Sequence, residues 1–295
     1  MANPVKKQNF QDWLTQKWVI LFGRKLVAPS EDWLLGPFGE VNGIGKQFID
    51  QLAQKENLYV DESQAVKGLL QSINQLNLPA SELKKLDPLV SDFYENTSHY
   101  KLQLSVNWNP FFKPFGILLR LFFSRRIKQL NIPLRAKEST AQLTSAVIHL
   151  KDRHTHQVKR TVWFRSYKES GIVVYAGVYE TCNLPSEKTC IKAIFPLPNG
   201  SATVILKPSV GQKGELILDS SGRRFGDSGF YFLLRDANGQ FWGKFIRSFR
   251  EKLLVGVHDG QISATQTLSL WHIRVLTFVY RLNNETFSSH VPHEN

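Results

Sequence analysis

The sequence predicts an α+β protein in which a helical N-terminal part precedes a curled antiparallel β-sheet or barrel packed on an apolar helix. Apolar residues of the first half recur every three or four positions, as on one face of a helix. After about residue 138 they alternate with polar residues, as in strands with one buried face. We expect a helical region over residues 1–85, an α+β domain over 86–285 and a flexible tail over 286–295.

Four helices are expected in the first half, over residues 10–21, 46–56, 61–76 and 88–94. Asp61 and Gln64 have the spacing of a capping box at the start of the third helix. Asp87 and Pro88 are an N-cap residue followed by proline at the first helical position. Helix starts of this kind are typical of short helices in globular domains.

The strands are predicted from two-residue periodicity and from turn dipeptides. Between residues 262 and 270 apolar side chains alternate with Ser and Thr, and only Gln266 interrupts the apolar face. Other runs lie at 143–150, 159–167, 172–180, 202–206 and 273–282. Three dipeptides each separate two such runs, as hairpins require: Ser221-Gly222, Asn238-Gly239 and Asp259-Gly260.

Composition narrows the partners and the compartment. The formal net charge of +12 favours contact with polyanions, either an anionic membrane or nucleic acid. Nucleic acid is the less favoured partner, because finger spacings, a helix-turn-helix pattern and ribonucleoprotein motifs are absent from the sequence. No apolar run reaches the 18 residues of a membrane span, and no signal peptide is recognisable. We expect a cytoplasmic protein, with peripheral membrane association left open.

Two cysteines are too few for a disulfide scaffold. Cys182 and Cys190 flank a seven-residue connection, so they could face each other across neighbouring strands. A reduced pair and a disulfide both remain open.

The segment 109–128 combines large apolar side chains with terminal cations. It could be a helix buried against the sheet, a helix at a membrane interface or a partner-binding helix. The candidate apolar contacts with a ligand are Phe111, Phe112, Phe115, Leu119 and Phe122. The candidate contacts with anionic headgroups are Arg125, Arg126 and Lys128.

A second candidate site lies on the predicted strands. If the strands at 159–167 and 172–180 form a hairpin, Arg165, Tyr175 and Tyr179 share a face and could bind a ligand headgroup. The alternative is an exposed face with ordinary cross-strand pairs. Gln266 is a further candidate, since a buried amide needs backbone or ligand partners.

Other motifs do not predict chemistry. The glycines between residues 36 and 45 match neither the dinucleotide fingerprint nor the phosphate-binding loop. His154 and His156 have no third ligand in register, so a metal site is not expected. No nucleophile motif is present. We therefore predict no catalytic residue, no metal and no cofactor.

The order of several segments resembles a bacterial domain of unknown function that occurs alone or behind saccharopine-dehydrogenase-like nucleotide-binding domains. The matching features are Leu86–Val90, the Pro- and Phe-rich stretch to Leu134, Trp163–Arg165 and the run from Asp259 to Leu282. The resemblance covers about residues 85–282. It implies a β-rich domain and no site, and residues 1–80 lack the nucleotide-binding pattern.

Three functions remain open. The favoured one is non-catalytic binding of a lipid or apolar small molecule, at the periphery of an anionic membrane. The second is an enzyme, or a partner of one, acting on a hydrophobic substrate in the same pocket through groups such as Tyr175, Arg165 or His149. The third is a protein-interaction module. The oligomeric state is not predicted.

Overall fold

The chain folds mainly as one antiparallel sheet with a few short helices. The computed structural model describes residues 17–27, 30–39, 46–112, 143–171, 173–186 and 188–284. Residues 17–22 are helical, and they are followed by α1 (Lys46–Lys55), α2 (Ala80–Leu83) and α3 (Pro88–Glu95), with 3₁₀ turns at Ile73–Leu76, Thr97–His99 and Pro110–Phe112.

The strands occupy most of the second half of the chain. They are β1 (Arg24–Lys25), β2 (Leu58–Val60), β3 (Tyr100–Trp108), β4 (Leu143–Asp152), β5 (Val158–Tyr167), β6 (Val173–Asn183), β7 (Thr189–Leu197), β8 (Gly200–Val210), β9 (Leu216–Asp219), β10 (Gly229–Arg235), β11 (Phe241–Phe245), β12 (Phe249–His258), β13 (Gln261–Leu270) and β14 (Ile273–Asn284).

The sheet order is β2-β4-β5-β6-β7-β8-β9-β12-β13-β14-β3, and a branch of β10, β11 and β1 leaves it at β8. The branch arises because the two halves of β8 have different partners on the same edge. Residues 200–205 pair with β10, and residues 207–210 pair with β9. β8 is therefore the strand at which the sheet divides.

The sheet curls so that strands distant in its order share one core. A single hydrophobic cluster contains Val147 of β4, Val204 of β8, Leu218 of β9 and Phe278 of β14, together with Leu104 of β3. β3 also approaches β4, although the paired order of the sheet ends at β3 and β2. The result is an open sheet with a concave, apolar interior.

The helix α3 covers this interior. Its start is as predicted: the Asp87 side chain accepts a hydrogen bond from the Leu89 amide at 2.9 Å, and Pro88 occupies the first turn. Phe93 and Tyr94 are buried on its inner face and belong to the same cluster as the sheet. Burial of these two rings fixes the helix over the concave face.

The structure confirms the helices predicted over 46–56 and 88–94, but the helix predicted over 61–76 is wrong, and the described chain is mainly β-sheet. No helix spans 61–76, and the capping box lies instead at Ser72 and Gln75, before the 3₁₀ turn. Asp61 forms an ion pair with Lys151 at 2.9 Å. Gly68 allows the segment to approach the end of α3 closely, because a Cβ there would lie 2.2 Å from the Glu95 carbonyl oxygen. The apolar residues of this segment are buried by close contact with α3 and the sheet. An irregular segment can bury its apolar side chains in this way, so their spacing did not require a helix.

β2 lies in the region expected to be helical, and β3 lies in the predicted α+β domain at a place where no strand was predicted. β2 pairs with β4, and β3 pairs with β14. The side chains of β3 alternate strictly between buried Tyr100, Leu102 and Leu104 and more exposed neighbours. That alternation is visible in the sequence and identifies the strand.

Two of the three predicted hairpins are confirmed. Asn238-Gly239 joins β10 to β11, and Asp259-Gly260 joins β12 to β13 with φ angles of 50° and 73°. Positive φ at both positions is the geometry that Asp-Gly favours in a two-residue turn. Ser221-Gly222 is not a hairpin, because β9 pairs with β8 and β12 whereas β10 pairs with β8 and β11.

Cys182 and Cys190 face each other in register across β6 and β7, and both are free thiols. Burial raises the pKa of Cys182 to about 11 and that of Cys190 to about 12. The protonated thiols therefore act as small apolar side chains in this part of the core.

The fully buried ring of Phe278 tests whether the curled sheet has one core. Phe278→Ala should lower the free energy of unfolding by about 3–5 kcal/mol, because it removes a large side chain and leaves a cavity. Chemical denaturation measures the change. Lys252→Ala, at an exposed position of β12, is the control and should change it by less than about 0.5 kcal/mol. Equal effects of the two substitutions would contradict a shared core.

Candidate ligand site inside the curled sheet

A buried arginine lies at the centre of the concave face. Trp163 and Arg165 point inward from β5, and Arg165 is opposite Tyr175 of β6. Only 5% of Arg165 is exposed. Its guanidinium carbon lies 4.1 Å from the centre of the Trp163 ring and 4.7 Å from that of Tyr175. The two rings hold the cation through their π faces.

The hydrogen bonds of Arg165 do not use all the N–H donors of its guanidinium group. Nη1 donates to the Tyr280 hydroxyl at a long 3.4 Å, and the Tyr179 hydroxyl is a second partner. Nε is buried and has no hydrogen-bond partner. Among the described residues, no carboxylate oxygen lies within 4.0 Å of this guanidinium. Arg165 is thus a permanent charge in the interior that forms no ion pair with any described residue.

Another buried cation shows how the protein satisfies such groups elsewhere. Lys192 forms an ion pair with Glu180 at 2.8 Å. Its Nζ also donates to the carbonyl oxygens of Trp33 and Leu35, at 3.1 and 2.7 Å. Arg165 differs from Lys192 in lacking a counterion, although both are buried.

A chain of hydrogen bonds runs from Arg165 to a buried acid across the interior. The Tyr280 hydroxyl donates to Oε1 of Gln266 at 3.1 Å, and Nε2 of Gln266 donates to Oε1 of Glu251 at 2.7 Å. These residues come from β14, β13 and β12, which are adjacent strands. Gln266 therefore has side-chain partners on both neighbouring strands.

The protonation of Glu251 is shifted towards neutrality. Burial raises the pKa of its carboxyl to about 7, and this outweighs the opposite effects of Gln266 and Arg165. Burial also raises the pKa of Tyr179 to about 12 and that of Tyr175 well above its ordinary value. Both phenols are thus neutral hydrogen-bonding groups at physiological pH.

A cavity of about 70 Å³ adjoins these groups. Its polar side is formed by Arg165, Tyr179, Glu180, Glu251, Gln266 and Tyr280. The apolar side includes Leu206, Leu218, Leu253, Val255 and Leu282, and the cover is formed by Leu69, Leu70, Phe93 and Tyr94. We call these four covering residues the cap. The arrangement is an apolar chamber with one polar wall, on which Arg165 lies together with the acids Glu180 and Glu251.

The structure brings together four of the predicted site residues, Arg165, Tyr175, Tyr179 and Gln266. Phe112 packs against the main core, whereas Phe111 is 92% exposed and does not line the cavity. The remaining predicted residues lie outside the described part of the chain: Phe115, Leu119, Phe122, Arg125, Arg126 and Lys128. The predicted helix over 109–128 and the tail at 286–295 also extend beyond the described residues.

Glu251 and Tyr280 belong to the site, and sequence reasoning did not identify them. Glu251 shares the inward face of its strand with Leu253 and Val255, so an acid on an apolar face was the available signal. Tyr280 lies on the same buried face of its strand as Phe278 and Leu282, so in the sequence it resembles an aromatic residue of the core. His149, a candidate for enzymatic chemistry, hydrogen-bonds the Gly68 carbonyl at 2.9 Å and does not line the cavity.

Fold and site together define an open, curled antiparallel sheet whose interior holds a buried cation without an ion-pair partner among the described residues. The chain is 28% identical over 244 residues to a Bacillus subtilis (strain 168) protein named "Uncharacterized membrane protein YndJ". The similar region covers 82% of this chain and 41% of that protein, so the chain spans less than half of the relative's length. No family model matches the chain, and no solved structure matches it significantly.

Within the described ranges, no helix has the length and apolar character needed to cross a bilayer. In the same ranges, no group of three or more His, Cys, Asp and Glu side chains is arranged to hold a metal ion.

The raised pKa of Glu251 has a definite effect on stability. The unfolded chain loses this proton near pH 4.5, whereas the folded protein keeps it up to about pH 7. Stability therefore falls as the pH rises through that window. Between pH 5 and 8 the free energy of unfolding of the native protein should fall by about 2–3 kcal/mol more than that of Glu251→Gln.

Denaturant titrations over the pH range measure this difference. Glu169→Gln, in an exposed turn, is the control and should follow the native profile. Parallel profiles for the native protein and Glu251→Gln would show that Glu251 does not titrate in the folded state.

Proposed function

We propose that the protein binds a small amphipathic molecule inside the curled sheet. The anionic group of the ligand faces Arg165, and its apolar part lies against the aliphatic walls. The observation that carries this proposal is the buried guanidinium with an unpartnered Nε beside a cavity. A lipid with a carboxylate or phosphate group belongs to this ligand class.

An anion satisfies what the protein leaves unsatisfied. Burying a cation without a counterion costs several kcal/mol, and a carboxylate or phosphate oxygen accepts strong, charge-assisted hydrogen bonds from arginine. Glu251 does not replace this anion, because it reaches Arg165 only through Gln266 and Tyr280. Its pKa of about 7 also leaves much of it neutral at physiological pH.

The size of the cavity limits what fits without rearrangement. A volume of about 70 Å³ accommodates an anionic headgroup but not a whole lipid. A longer ligand requires the cap to move outward. The cap is held to itself by a hydrogen bond from the Leu70 amide to the Tyr94 carbonyl at 3.0 Å, and both residues would move with α3.

Peripheral association with an anionic membrane remains part of the proposal. The net charge of +12 and the cations Arg125, Arg126 and Lys128 support it. The name of the B. subtilis relative, a membrane protein, agrees with it. The relationship of residues 85–282 to the bacterial domain of unknown function is part of the same proposal.

An enzyme acting on a hydrophobic substrate is the second candidate. The pKa of Glu251 supports it, since a buried carboxyl that titrates near neutrality suits proton transfer. If the native protein converts a bound molecule into a different compound and Glu251→Gln does not, the result would favour an enzyme over simple binding.

Ligand binding is tested with dodecanoate and with dodecanol, which differ only in the charged group. By isothermal titration calorimetry dodecanoate should bind the native protein, and Arg165→Met should weaken the binding at least tenfold. Dodecanol should bind more weakly and respond little to the substitution. Arg153→Met, in an exposed turn, is the control. Equal affinity of the native protein and Arg165→Met for dodecanoate would refute the role of Arg165. If the native protein neither binds dodecanoate nor carries a ligand in native mass spectrometry, the binding proposal itself is refuted.

If Arg165 serves binding and not stability, its replacement should not destabilise the protein, whereas replacement of a structural cation should. Arg165→Met should leave the thermal midpoint unchanged or raise it, because it removes an unpaired buried charge. Lys192→Met, the control, breaks a buried ion pair and should lower the free energy of unfolding by about 3 kcal/mol. Equal destabilisation by both substitutions would show that Arg165 is structural.

A further inference from the structure

Two turns meet at one end of the sheet and form a cleft that the proposed ligand site does not use. They are the β11–β12 turn, with Arg247, and the β13–β14 turn, with Trp271 and His272. The Trp271 amide donates to the Ser248 carbonyl at 2.9 Å, which ties the turns together. The cleft between them and Trp18 measures about 530 Å³.

The cleft is basic. Its lining includes Lys244, Arg247, Arg250 and His272, and it contains no acidic side chain. Within the described ranges, none of the three permanent cations forms an ion pair. Arg250 instead contacts Nδ1 of His272 at 3.1 Å. The positive charge of this end is therefore available to an external anion.

Exposed apolar side chains occur beside the β13–β14 turn and on the helical residues that Lys244 joins to the cleft. Trp271 is 69% exposed, and Ile273 next to it is also exposed. Leu21 and Phe22 are exposed on the helical residues 17–22, which the Lys244 ammonium joins to the cleft by a 2.7 Å hydrogen bond to the Phe22 carbonyl oxygen. We call these residues, together with the cleft, the basic rim.

The backbone of the rim places an indole in solvent at some cost. Trp271 and His272 have φ angles of 46° and 70°, in the left-handed region. Glycine and asparagine adopt this region readily, whereas a bulky residue there is uncommon and strained. The turn thus carries an exposed tryptophan where a glycine would fit the backbone better.

We propose that the basic rim docks on an anionic lipid surface. Tryptophan and aliphatic side chains enter the interfacial region of a bilayer, while arginine and lysine contact the phosphates. A nucleic acid would also attract the cations and stack on the indoles, but it makes no use of Leu21 and Ile273. The combination of aliphatic and cationic groups on one rim therefore favours the lipid surface. This inference rests on the peripheral membrane association proposed above, to which it assigns a surface, and it does not depend on the interior site.

Flotation with vesicles tests the rim. The native protein should float with phosphatidylcholine vesicles that contain phosphatidylglycerol and not with phosphatidylcholine alone. Raising the salt from about 0.1 M to about 1 M, which shortens the Debye length from ~10 to ~3 Å, should release it. Arg247→Glu combined with Arg250→Glu should weaken binding at least tenfold.

The control has the same charge change at the opposite end of the strands. Arg153→Glu combined with Lys213→Glu alters exposed residues of the β4–β5 and β8–β9 turns and should change binding less than threefold. Trp271→Gly removes the indole and suits the local φ angle, so it should fold normally and bind more weakly. Absence of native binding to anionic vesicles, or equal losses in the two charge variants, would overturn the proposal. Binding of duplex DNA in place of vesicles would also overturn it.

Discussion

The interior of this protein is organised around a cation that cannot lose its charge. Arginine remains protonated at any physiological pH, so Arg165 must be stabilised where it lies. The sheet supplies two aromatic faces and phenol hydroxyls, but no carboxylate in contact. These aromatic and phenolic contacts hold the guanidinium in place without neutralising its charge. The adjacent cavity and the unpartnered Nε follow from the same choice of neighbours.

The curl of the sheet is what makes this arrangement possible. Arg165 lies on β5, whereas Tyr280 and Glu251 lie on β14 and β12, more than 80 residues further along the chain. A flat sheet with the same strand order would keep these strands far apart. Curling brings them around a common interior, and α3 closes the open side with Phe93 and Tyr94. Any ligand larger than the present cavity must therefore act against the packing of α3.

Strand β12 serves both surfaces that we propose as functional. Arg250 lines the basic rim, and the next residue, Glu251, points into the interior. The alternation of side chains along a strand places the two on opposite faces. Adjacent residues of one rigid strand thus belong to an outer surface and to an inner site. The two remain separable, because substitutions at Arg247 or Trp271 leave the interior cluster untouched.

The sequence alone determined most strands of the second half, because two-residue periodicity and Asp-Gly or Asn-Gly turns are local signals. It also placed Arg165, Tyr175 and Tyr179 on one face and marked Gln266 as a polar break in an apolar strand. It failed over residues 61–76, where apolar spacing suggested a helix, because contact with α3 and the sheet buries an irregular segment equally well. Only the tertiary structure decided that Glu251 and Tyr280 join Arg165, since pairing across distant strands depends on the curl of the whole sheet, which no local pattern encodes.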